Sequence, residues 1–193
     1  MPKKKISVRR KKSNGASIKI KQLSNQITKL LDQAKIKYKV LEHKVVYTAH
    51  DAARTTKRKL GEIAKVVLVK ADSGWALIVV PAGKYIDLKG IKKALKAKKV
   101  SIANEKDITK HLKTTPSFDG VPGRMTGQSR KPAMLLHPFG HLYKIPTLID
   151  KGMAKAKKMI ASAGSYTHSV ELALKDFEKL VKPIKGAFSK AKK

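Results

Sequence analysis

A lysine stands where an apolar strand should begin. In Glu62-Ile63-Ala64-Lys65-Val66-Val67-Leu68-Val69-Lys70 a β-branched run lies between turn residues at Leu60-Gly61 and Ser73-Gly74, which predicts a buried strand. A second apolar strand, Trp75 to Pro81, ends in Pro81-Ala82-Gly83, and a helix and a third strand follow before Ala103. Burying an ammonium costs several kcal/mol unless an anion meets it. Lys65 therefore either lies on a wet strand end or is met by an anionic group.

Charge points to the kind of ligand. The chain has 193 residues, with 45 Lys and Arg against 13 Asp and Glu, a formal charge of +32. Such an excess fits a polyanionic partner, most directly nucleic acid. The arginines are only Arg9, Arg10, Arg54, Arg58, Arg124 and Arg130. Lysine acts on phosphate as a point charge, so the balance favours backbone contacts over base reading. A coding bias toward lysine is the bland alternative. The absence of cysteine excludes disulfides, cysteine nucleophiles and thiolate metal sites. No apolar run approaches the roughly 20 residues of a membrane-spanning helix, and Met1-Pro2-Lys3-Lys4-Lys5 lacks the apolar region of a secretory signal. A cytoplasmic protein is expected.

The chain reads as one domain between basic ends. Residues 1–18, with clusters at Lys3 to Lys5 and Arg9 to Lys12, read as a flexible basic arm, and the end from Lys185 to Lys193 as a fraying basic tail. From an N-cap at Ser24, Ile27, Leu30, Leu31 and Ala34 recur at helical spacing up to about Lys37, and a strand at Tyr38 to Glu42 follows. Thr48 with Asp51 forms a capping box for a short helix, and Asp87 caps another that carries Leu88, Ile91 and Leu95 on one face. Lys99 to Ala103 reads as a strand and Asn104 to Leu112 as a short helix. Between Thr114 and Pro132 Gly, Pro, Ser and Thr mark a long loop. Pro146 to Asp150, Met159 to Ser162 and His168 to Leu174 read as strands, and Leu174 to Val181 as a closing helix.

Common catalytic signatures are missing: no Gly-rich phosphate loop, no His-Glu-x-x-His and no Gly-x-Ser-x-Gly. His137 and His141 are four apart, but Pro138 and Gly140 break the helical geometry that paired metal ligands would need. The order of weaker motifs carries more. His43 ends the first strand, Lys65 sits in Ala64-Lys65-Val66-Val67-Leu68, and Pro81-Ala82-Gly83 leads to Asp87-Leu88-Lys89. Ala94-Leu95-Lys96-Ala97-Lys98-Lys99-Val100 leads to Ala103, and His137-Pro138-Phe139-Gly140 to Ile145-Pro146-Thr147-Leu148-Ile149-Asp150.

This series resembles the YbaK family of aminoacyl-tRNA editing domains, related to the insertion domain of bacterial prolyl-tRNA synthetases, over roughly Ile27 to Val181. The resemblance implies an α+β single domain, residues 19–184, with a mixed, partly closed sheet and flanking helices. It implies hydrolysis of mischarged aminoacyl-tRNA in trans, releasing a small amino acid such as alanine, cysteine or serine, with proline tRNA as the body. The implied partners are tRNA and prolyl-tRNA synthetase, with no cofactor or metal, and a monomer is expected. Lys65 matches the family's pocket lysine, which contacts the acceptor end, and His137 is the second catalytic candidate. His43, Met134, Pro138, Gly140, Ser162 and Ser169 are candidates for binding the substrate. The structural alternatives are that His43 closes a turn, His137 faces solvent and Ser162 satisfies a strand end. The chain departs from the family at Met134, where relatives carry the glycine of a Gly-x-x-x-Pro loop, and at Ser169, where some carry Asp. Met134 motivates the rival reading, an RNA-binding protein that keeps the fold without hydrolysis.

Overall fold

The computed structural model describes residues 25–72, 74–112 and 136–191. The expected arm at 1–18, the N-cap at Ser24, the loop at 114–132 and Met134 lie outside the described residues.

The two apolar runs form the centre of a mixed sheet. β2 (Ala64–Ala71) and β3 (Gly74–Pro81) make an antiparallel hairpin in which Lys65 opposes Val80. β5 (Val100–Ile102) pairs with the outer edge of β2, and β6 (Thr147–Asp150) lies parallel to β3 on the other side. Along β3 the two-residue period separates two cores. Ala76, Ile78 and Val80 pack with Ile91 and Phe188, whereas Leu77 and Val79 belong to the clusters around Tyr143 and Phe139. Each of the larger buried side chains among these stabilises the fold by about 1.5–3 kcal/mol.

A second sheet stands beside the first. β1 (Tyr38–Glu42) and β7 (Lys158–Ser162) flank β8 (His168–Ala173), all antiparallel. A parallel bridge between Ile63 and Ile160 joins the sheets along one side, while the outer strands leave them open elsewhere.

Among the described residues, five α-helices surround the sheets. α1 (Asn25–Gln33) buries Ile27 and Leu31 against α5 (Leu174–Val181), whose Phe177 is fully buried. α1 stops short of Lys37, because Lys35 takes a left-handed conformation and the Ile36 N–H donates back to the Leu31 carbonyl. α2 (Ala49–Thr56) starts at Thr48, whose hydroxyl accepts the Asp51 N–H, and α3 (Leu88–Ala94) starts at Asp87 in the same manner. α4 (Glu105–Leu112) follows β5.

The end from Lys185 corrects the expected fraying. β9 (Ile184–Gly186) pairs parallel with β6, making that sheet five-stranded, and β10 (Ser189–Lys190) pairs with β4 (Tyr85–Ile86). Between them Phe188 is buried, and its N–H donates to the buried Asp150 carboxylate at 2.6 Å. A buried aromatic and a charge-assisted hydrogen bond hold a segment whose composition reads as tail.

Candidate active site

The bridge between the sheets opens into a cavity of about 410 Å³, within the range typical of small-molecule sites. Its apolar lining comes from small and branched side chains, among them Val46, Ala52, Ile63, Ala82, Ile160 and Ala161. Polar groups converge from three directions. Lys65 enters from the start of β2, Thr48 and His50 come from the N-terminal end of α2, and Ser162, Ser165 and Ser169 form a wall on β7, β8 and the turn between them. A helix N-terminus carries partial positive charge, so α2 favours anionic groups on its side. A second hollow of about 520 Å³ shares Lys65 and Tyr85 and runs over β2 to Ile102, Glu105 and Lys190.

Lys65 stands where the two hollows meet. Its ammonium donates to the Lys84 carbonyl and lies 6.0 Å from the centre of the Tyr85 ring. A carbonyl dipole and a π face offset part of the burial cost of a cation without neutralising it. Burial lowers the Lys65 pKa from its ordinary value.

His43 leaves β1 and turns toward β8. Its Nδ1 lies 2.9 Å from the Lys44 carbonyl and its Nε2 2.9 Å from Ser169 Oγ. Burial, which outweighs the hydrogen bond to Lys44, lowers its pKa. Ser169 lies opposite Ser162 in the β7–β8 register, and Ser162 Oγ accepts the Gly164 N–H at 3.2 Å. Ser165 Oγ accepts the Thr167 N–H at 3.1 Å and lies within 3.4 Å of His168 Nδ1.

Three other expected site residues, His137, Pro138 and Gly140, are buried outside the cavity lining. His137 is fully buried and does not face solvent; its ring stacks on Tyr143 with centroids 4.3 Å apart. Neither ring nitrogen has a hydrogen-bond partner among the described residues. Burial holds its pKa down to about 3, so the ring is neutral at pH 7. Pro138 and Gly140 are buried as well. A Cβ on Gly140 would collide with Thr147 Oγ1 and the Ile145 carbonyl, so that glycine permits a close turn rather than a ligand contact. The described cavity lining thus unites Lys65, Ser162 and Ser169, with His43 joined through Ser169, and does not include His137, Pro138 or Gly140.

Sequence reasoning missed Tyr85, Lys84 and Ser165. The turn after Pro81-Ala82-Gly83 was the available signal for the first two. Ser165 had none, because its position depends on how β7 and β8 pair.

Residues 43–123, which include His43 and Lys65, match the aminoacyl-tRNA editing domain family. The chain is also similar to the prolyl-tRNA editing protein ProX of Acetoanaerobium sticklandii, with 25% identity across 79% of this chain and 86% of the relative. Among solved structures, one described as a candidate trans-editing enzyme for prolyl tRNA synthetase superposes with a TM-score of 0.63 at 17% identity, covering 87% of this chain and 97% of that one. A hypothetical protein superposes with a TM-score of 0.66 at 15% identity, covering 86% of this chain and all of its own. These structural likenesses establish the mixed α+β fold of the chain. Among its described residues no helix is long and apolar enough to cross a membrane, and no three His, Asp or Glu side chains gather into a metal site.

Proposed function

We propose that this protein hydrolyses, in trans, the ester of a mischarged aminoacyl-tRNA and releases a small amino acid such as alanine, cysteine or serine from a tRNA of the proline type. The observation that carries this reading is the state of Lys65. Among the described residues its contacts are neutral, a carbonyl and an aromatic ring, which leaves its charge for an anionic ligand at the mouth of the cavity.

The chemistry follows from the substrate. An aminoacyl ester is already activated, so catalysis can rest on holding the ester, placing a water and polarising the carbonyl. In this reading the acceptor end enters between the hollows, Lys65 meets a phosphate or ribose oxygen, and the aminoacyl group fills the cavity. Selection is by exclusion: a methylene in an apolar pocket discriminates by only about 1–3 kcal/mol, so an editing site works best when the larger, correct amino acid cannot enter. The wider lysine-rich surface and the basic segment 1–18 bind the phosphate backbone. The partner that would supply mischarged tRNA in the cytoplasm is a prolyl-tRNA synthetase.

The test is amino-acid release from tRNAs charged with alanine, cysteine, serine or proline, comparing the wild type with Lys65→Ala. Selective release of one small amino acid that falls about 100-fold or more in the variant is expected, the scale of losing one preorganised electrostatic contact. Release no faster than the uncatalysed rate, with tRNA still bound, would refute the reading.

A further inference from the structure

His43 and Ser169 form a pair that the binding of an acceptor end does not require. The Lys44 carbonyl can only accept, so it holds the proton of the neutral His43 ring on Nδ1. Nε2 then presents its lone pair, and at 2.9 Å Ser169 Oγ must donate to it. Ser169 is 4% exposed and still lines the cavity, so its hydroxyl has one side on the base and the other toward substrate space. A hydroxyl held by an imidazole that a third group orients is the arrangement used to activate oxygen nucleophiles.

We propose that Ser169 relays a proton from the attacking water to His43, so that the pair serves as general base for the hydrolysis; the inference rests on the deacylase reading above. The water oxygen bonds to the acyl carbon as its proton passes to Ser169 Oγ and the Ser169 proton passes to Nε2. When the tetrahedral intermediate breaks its bond to the ribose oxygen, the imidazolium returns a proton through the same hydroxyl to that oxygen. The products are the free amino acid and tRNA with its terminal hydroxyl restored, and only water is consumed. Ser169 touches the reacting water, whereas His43 acts through it.

The surroundings keep His43 in the form that can accept. Burial disfavours its cation, and His168 of β8 opposes it electrostatically. Glu42, which pairs with His168 in the β1–β8 register, and Lys44 flank it in the chain. The base is therefore neutral at pH 7 and loses its capacity on acidification below its unperturbed pKa of about 6.5.

The experiment measures kcat and KM between pH 5 and 8 for the wild type, His43→Gln, Ser169→Ala and the double variant, with folding of each checked by circular dichroism. Each single variant should lose about 100-fold in kcat with KM nearly unchanged. The double variant should lose no more than either single one, and the acid limb of the wild-type profile should flatten in all three. A purely structural pair would lower the melting temperature and leave the limb in place. Survival of the limb, or a loss below about threefold, would overturn the relay while the deacylase reading stands. An acyl group trapped on Ser169 by acid quenching would also overturn it, in favour of direct attack by the serine. If the wild type releases no amino acid from any tRNA, both fall together.

Discussion

His137 couples stability to pH through one side chain. In the unfolded chain its imidazole takes up a proton below about pH 6.5, whereas in the fold it does so only near 3. Between these values acid protonates the unfolded state alone. The contribution of His137 is therefore intact above pH 6.5 and is lost on acidification by up to about 1.4 kcal/mol per pH unit. Urea unfolding at pH 7, 5.5 and 4.5 should show this slope, and His137→Phe, which keeps a ring against Tyr143, should remove its share. Gly140 makes a second prediction at this scale. Gly140→Ala should destabilise by about 1–3 kcal/mol, because its methyl group overlaps Thr147 and the Ile145 backbone; a thermal melt checks it. Lys65 was legible in the sequence because a cation at the head of an apolar run breaks a strong pattern. The link between His43 and Ser169 was not, since the partners are 126 residues apart and meet only through strand pairing.

Helix ends show a consistent habit. Among the described residues, five of the six non-glycine positions at positive φ are lysines: Lys35, Lys57, Lys96, Lys144 and Lys182. Each follows a helix or a 3-10 turn, where glycine is the usual solution. Lysine complements the negative pole of the helix but strains its own backbone by about 1 kcal/mol. Lys57→Gly and Lys182→Gly should each stabilise by about 0.5 kcal/mol after the added freedom of the unfolded chain is deducted, read as a shift in the urea midpoint. Sequence patterns located β2, β3 and the caps at Thr48 and Asp87 because long apolar runs and capping side chains are local signals. β4, β9 and β10 span two or three residues each, too few to display a period, and the lysines around them carry the signature of a solvated tail. Only Ile184, Gly186 and Phe188 hinted otherwise: a Cβ on Gly186 would strike the Phe188 ring, so the glycine is what lets that ring fold back.

For the molecule as a whole, 13 acidic side chains cannot pair with 45 basic ones, and the surplus repels itself in the folded state. Added salt should therefore act in opposite directions on two measurements. Raising monovalent salt from about 50 to 200 mM should raise the melting temperature by screening self-repulsion. The same change should weaken the proposed tRNA binding by 10-fold or more, with a linear log–log slope that counts the phosphates contacted. A melting temperature that falls with salt would mean that the cations are matched within the fold. The pairing of β10 with β4 has a temporal meaning as well. Tyr85 and Lys65 are synthesised early, yet the strand that braces Tyr85 is completed only at Lys190. During translation the mouth of the cavity therefore stays unfinished until more than a hundred further residues have been added, and a chain interrupted before Lys190 would hold Lys65 and Tyr85 in a half-built site.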